Sequence, residues 1–195
     1  DLYLLLVRHH SKRRSYAEAA RAGERFEVLW LDHPELFADP GRARLAAEVF
    51  FRTAVAREHL HQIDRARHLY RTALGLFPEH VPALNNLANL LGAEVDTLPE
   101  AVELAERAIS LAPELPELRD TLSELELRRG NAAAAVRHAE EAVALFRERM
   151  AAGGTPLGSG SADSQLARYH LNLARARKEA GVAGAREALE EAARI

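Results

Sequence analysis

The chain contains no cysteine, which excludes disulfides, thiolate metal sites and cysteine nucleophiles and says little about compartment. Lysine is nearly missing too: Lys12 and Lys178 stand alone, and every other permanent cation is arginine. With abundant alanine, that usage is the compositional mark of a GC-rich bacterial genome. No sign of charge dominates. The net charge is −3, so there is no bulk positive field to make nucleic acid the expected partner. No apolar run is long enough to cross a bilayer, because LYLLLV (2–7) is six residues and a span needs about 20.

Catalytic signatures are also lacking. The sequence has no glycine-rich phosphate loop, no nucleophile elbow, no HExxH and no spaced acid pair. The stretch REHLH (57–61) has a metal-like look, yet His59 and His61 are two apart and leave a helix on different faces. Glu140-Glu141 and Glu190-Glu191 read as helix exteriors, and Trp30 as core or connector packing. The reading is therefore a protein that is not an enzyme, with no cofactor and no metal.

Hydrophobic residues make up 48% of the 195 residues, enough to bury a core and to set disorder aside. LYLLLV has two readings: the buried face of a first helix, or the last turns of a membrane helix that begins upstream. In the second case RHHSKRR (8–14), the only dense basic run, is a juxtamembrane flank.

Self-comparison is more informative. Ala66, Ala101 and Ala135 recur at separations of 35 and 34. Each is followed four residues on by Tyr70, Ala105 or Ala139, and seven residues on by Ala73, Ala108 or Ala142. Offsets of 0, 4 and 7 lie on one face of an α-helix, and small residues recur where another helix axis must come close. Upstream helices carry their own stripes, Leu84, Leu87, Ala88 and Leu91 in one, Leu118, Leu122, Leu125 and Leu127 in another. Pro78 and Pro113 follow the small-residue helices at equivalent points and end them. Pro82 and Pro116 then open the next helices, where a missing amide costs nothing.

With these residues the chain resembles the tetratricopeptide-repeat (TPR) family. ALNNLANLL (83–91) matches the first half of the family pattern, with Leu84 in the bulky place and Leu87-Ala88 in the Leu-Gly place. RRGNAAAAVRHAEEAVAL (128–145) matches the turn and second half, with Gly130-Asn131 as the turn. YHLNLARARKEAG (169–181) is a further first helix, followed by Ala185, Leu189 and Ala192 on the same offsets. The resemblance implies an all-α fold, a right-handed superhelical stack of antiparallel helix pairs. We expect N-terminal helices and a connector over 1–46, with residues 2–34 a degenerate unit placing Ala22, Phe26 and Leu29 on the shared offsets before Pro34. Three repeats follow at 47–80, 81–115 and 116–149, a flexible Gly/Ser/Pro loop at 150–163, and a fourth repeat at 164–195. There are departures. Thr53-Ala54 and His61-Gln62 replace Leu-Gly and the turn in the first repeat, and the second lacks a turn glycine and has one extra residue near EVDTLPE (94–100).

In the family the first helix of each pair lines a concave groove. Carried over place by place, the groove residues are Phe51, Arg52, Val55 and Glu58, then Asn85 and Asn89. Glu117, Asp120, Glu124 and Arg128 follow, and last come Arg168, Arg175 and Lys178. Asparagine amides suit the backbone of an extended peptide or a carboxylate, and the banding from apolar-basic to amide, acidic and basic would orient a linear partner. A solvated face is the plainer account of the same charges. Asn86 and Asn172, at one equivalent place, are expected to bond locally to the adjacent turn or helix. Phe51 and Val55 stand where the carboxylate-clamp variety has lysine and asparagine, which disfavours chaperone-tail binding.

The function implied is a protein–protein interaction scaffold taking a partner segment in the groove or along an edge, with self-association a further option. The alternative is a regulatory or substrate-docking module of a larger enzyme or membrane-anchored protein. Membrane contact is expected only through the N-terminal segment, and cytoplasmic location is the default.

Overall fold

The computed structural model describes residues 2–155 and 161–195, and among them there are ten α-helices and no strand. They run α1 Leu2–Lys12, α2 Tyr16–Asp32, α3 Pro40–His59, α4 Ile63–Leu76, α5 Val81–Leu91, α6 Leu98–Leu111, α7 Pro116–Arg128, α8 Ala132–Ala151, α9 Ala162–Ala180 and α10 Ala185–Arg194. Consecutive helices α1–α2, α3–α4, α7–α8 and α9–α10 pack as antiparallel pairs. By contact the chain forms two compact units, residues 1–90 and 91–195.

Local chemistry accounts for the punctuation. α4 ends at Leu76 and α6 at Leu111, each just ahead of Pro78 or Pro113, while Pro82 and Pro116 sit in the first turns of α5 and α7. Helix α3 begins at Pro40, seven residues before the start expected for the first repeat. Asp39 makes that start by accepting hydrogen bonds from the amides of Gly41 (3.0 Å) and Arg42 (3.1 Å), and Pro40 occupies the first helical place. The expected loop loses residues at both ends, since α8 continues to Ala151 and α9 starts at Ala162, capped by Ser161. Residues 156–160 of that loop lie outside the described residues.

The turns show why unlike sequences serve. Gly130 and Gly181 take positive φ, 82° and 65°, at the ends of α7 and α9. His61 holds φ 58° after α3, standing in for the glycine of that turn. The turn after α5, which was expected to lack a glycine, opens on Gly92 and adds a short 3-10 segment, Val95–Thr97, tied down by Thr97 Oγ1 donating to the Leu91 carbonyl at 2.6 Å.

In the first unit, α1, α2 and α3 pack around Phe26 and Phe50, whose rings meet at 5.4 Å, with Trp30 edge-on to Phe50 at 5.3 Å. Val7 is the one fully buried member of LYLLLV, while Leu2, Leu5 and Leu6 face outward. Gly23 of α2 lies directly against Thr53 of α3. A Cβ there would fall 2.1 Å from Thr53 Oγ1, so only glycine allows this crossing.

In the second unit Ala139, Ala142, Val143, Phe146, Tyr169, Leu173 and Ala188 form one cluster joining α8, α9 and α10. Ala66, Ala101 and Ala135 are all completely buried. One placement differs from the sequence reading. Leu189, expected on the buried face of α10, is half exposed, and Ala188 is the residue that packs. The left-handed Gly184 (φ 89°) immediately precedes α10.

Candidate partner-binding faces

In the first unit the expected groove residues Phe51 and Arg52 of α3 gather around His80, just ahead of α5. Its Nδ1 accepts the Ala83 amide at 3.2 Å, which leaves the proton on Nε2 to donate to Glu48 Oε2 at 3.0 Å. Arg52 reaches the other oxygen of Glu48 at 2.5 Å. Burial works to raise the Glu48 pKa, but the His80 hydrogen bond and the Arg52 charge outweigh it and hold the carboxyl below its ordinary value. Phe51 lies over His80 at 4.8 Å between ring centres.

Beside this group runs a polar chain. Asn86 Nδ2 donates to the Tyr70 hydroxyl at 3.1 Å, and that hydroxyl donates to Glu58 Oε2 at 2.9 Å. Burial, then the Glu58 charge, push the Tyr70 pKa far up, so the phenol stays a donor. Asn86 thus bonds to the neighbouring helix, as expected, and Glu58 is engaged in the fold. Asn89 is exposed. Asn85 is half-buried, and its Oδ1 is shielded from solvent with no hydrogen-bond donor.

In the second unit the acids of α7 and the bases of α9 close on each other. Asn172 Nδ2 donates to Asp120 Oδ1 at 2.8 Å and to Glu124 Oε1 at 3.0 Å, and Arg168 Nε lies 3.3 Å from Asp120 Oδ2. Asn172 does not bond within its own turn; it ties together the first helices of successive pairs. Asp120 is only 6% exposed. Burial drives its pKa up to about 6, against the pull of the Asn172 bond and the Arg168 charge. Arg128 donates to the Gly92 carbonyl at 2.7 Å. Asp120, Glu124 and Arg168, expected to face a partner, are therefore spent largely inside the fold. Arg175 and Lys178, one and two turns further along α9, are exposed and meet no carboxylate among the described residues.

Two features escaped sequence reasoning. His80 caps the start of α5 and organises Glu48, and its place between Pro78 and Pro82 was the available signal. His170 is buried, and its Nε2 accepts from the Arg147 guanidinium at 3.2 Å. Burial, then the charge of Arg147, hold it below its ordinary pKa. It borders a cleft of about 400 Å³ that also touches Glu140, Arg177, Glu187 and Glu191. No group of three or more His, Asp or Glu among the described residues converges as a metal site would. No described helix is long and apolar enough to cross a membrane.

Helix pairs of this kind, punctuated by proline and closed by buried alanines, define an all-α solenoid of the TPR-like class. No protein-family model and no curated protein matches the chain. Its fold is similar to that of solved structures. The crystal structure of the MamA protein aligns over 99% of this chain and 89% of its own at 13% identity, with a TM-score of 0.70. BtubC (BKLC) from P. vanneervenii aligns over 98% of this chain and 77% of its own at 18% identity, TM-score 0.74. The APC/C hetero-tetramer Cut9–Hcn1 aligns over 97% of this chain and 31% of its own at 17% identity, TM-score 0.70.

Proposed function

We propose that the chain is a protein–protein interaction scaffold that holds an extended, acidic partner segment against the exposed faces of its first helices. The observation that carries this is the contrast along α9. Arg168 and Asn172 are occupied by Asp120 and Glu124, whereas Arg175 continues the same side of the helix into solvent and Lys178 stands about 60° round from it, both exposed and with no carboxylate partner among the described residues. Two unpaired cations on a rigid helix offer charge-assisted bonds at little cost in ordering. Phe51 and Arg52 of α3 and Asn85 and Asn89 of α5 are the corresponding first-helix residues of the first unit, and asparagine amides suit peptide backbone.

The test is capture of binding partners by the tagged 195-residue chain, with each face altered in turn. Arg175→Glu with Lys178→Glu is expected to abolish capture, and Asn85→Ala with Asn89→Ala to weaken or abolish it, both with helicity unchanged. Arg137→Glu, on the exposed side of α8, is expected to leave capture intact. If both groove variants bind as the parent does and Arg137→Glu does not, the binding face lies on the second helices and the proposal fails.

A further inference from the structure

The first helix has a surface that the scaffold reading does not use. Val7 is buried, and Tyr3 and Leu4 turn toward α2 and α3, leaving one exposed arc. The N-terminal half of that arc carries Leu2 (66% exposed), Leu5 (62%) and Leu6 (37%). Its C-terminal half carries Arg8 and Lys12, and the turn to α2 adds Arg13 and Arg14. At 100° per residue Leu5, Arg8 and Lys12 fall within about 60° of one another, with Leu2 and Leu6 about 60° and 100° beyond Leu5, so apolar and cationic groups share one exposed arc of about 160° and separate along the axis.

The turn is ordered. The amides of Arg13, Arg14 and Ser15 donate to the carbonyls of His9, Ser11 and His10, and Arg14 holds φ 57°. None of Arg8, Lys12, Arg13 and Arg14 has a carboxylate partner among the described residues. This is notable in a chain of net charge −3 whose other arginines are widely paired.

Leucines left in water cost free energy, and four unneutralised cations within seven residues repel one another. One surface relieves both, an anionic phospholipid leaflet, which takes apolar side chains at the acyl boundary and cations on its phosphates. We infer that α1 docks obliquely on such a leaflet, with Leu2, Leu5 and Leu6 entering the headgroup boundary and Arg8, Lys12, Arg13 and Arg14 on the phosphates. This is peripheral contact by a folded helix, without a span. It engages the first unit alone, and no residue of α9 is among the contact residues. A second copy of the chain is a poorer occupant, because it would bring the same cations to the same face.

Vesicle co-sedimentation of the 195-residue chain tests this. With vesicles of phosphatidylcholine and phosphatidylglycerol in equal parts the chain is expected to sediment, and with phosphatidylcholine alone to stay in solution. Raising salt to several times physiological strength should release it, since exposed charges are then screened. Arg13→Ala with Arg14→Ala is expected to weaken partitioning about thirtyfold, the loss of two headgroup cations. Leu2→Ser with Leu5→Ser should weaken it by at least a similar factor. All four side chains lie outside the core, so the thermal midpoint should not move, and a variant that does unfold is replaced by Leu5→Ser alone. Equal sedimentation with both lipids, none with either, or undiminished binding by both variants overturns the inference. So does concentration-dependent self-association that Leu2→Ser with Leu5→Ser removes in a chain that ignores vesicles, which would assign the face to a second copy.

Discussion

Asp120 carries opposing forces that its neighbours do not balance. Asn172 and Arg168 both favour its charged form, yet loss of water dominates and the native pKa stands near 6, against 3.8 for an ordinary aspartate. The native state therefore holds a proton, between about pH 4 and pH 6, that the unfolded chain has lost. Stability from this group is complete below about pH 4 and falls as pH rises toward 6, the reverse of a salt-bridged carboxylate. Asp120→Asn keeps an acceptor for Asn172 and removes the ionisation. It is expected to raise the unfolding free energy at neutral pH by up to about 3 kcal/mol and to have little effect near pH 4. Urea unfolding of parent and variant across that range reads the difference directly. His170 slopes the other way, since its lowered pKa makes its contribution fade as pH drops below about 6.5, but it is common to both proteins and cancels. Parallel curves would mean that Asp120 is charged at no cost.

At the scale of the element, the alanines decide whether pairs can close. Ala101 and Ala135 are completely buried, and Ser123 Oγ of α7 donates to the Ala135 carbonyl at 2.8 Å, which leaves no depth for a longer side chain. Ala101→Leu or Ala135→Leu is expected to cost about 1–3 kcal/mol by overpacking. Ala133→Leu, on the exposed side of α8, should stay within about 0.5 kcal/mol. Chemical denaturation of the three variants separates packing from helix propensity, and equal midpoints would mean the repeat frame is misaligned. These helices were legible in the sequence because their causes are local: proline at fixed places, small residues at 0, 4 and 7, glycine at Gly130 and Gly181. The start of α3 was missed because Asp39 and Pro40 cap a helix whose first turns carry no repeat pattern. Leu189 was misplaced because the 0, 4, 7 offsets of the earlier units were carried onto α10, whose one buried residue is Ala188. The site was less legible still. Asp120, Glu124 and Arg168 were each marked as facing a groove and Asn172 as bonding locally, but their spacing holds no record that α7 and α9 approach closely enough to join them. That distance is set by tertiary packing.

At the scale of the whole chain, the protein is a series of local agreements. In solenoids each pair is held by its neighbours, so stability grades along the chain. Burial follows that gradient: α7 has eight buried residues and α3 seven, whereas α1 has only Val7 and α10 only Ala188. Hydrogen exchange followed by mass spectrometry should show α1 and α10 exchanging fastest, while the amides of α3 and α7 remain protected for the longest times. The exposed apolar faces of the weak helices then acquire a meaning that a cap would not give them. A helix held by one buried valine gains more from an external surface than one already packed on both sides. Anionic vesicles should therefore slow exchange in α1 and leave α10 unchanged, since α10 presents no comparable cluster of cations. Equal protection from α1 through α10 in solution would show that the chain opens as one cooperative body, and the gradient of burial would not govern how it unfolds.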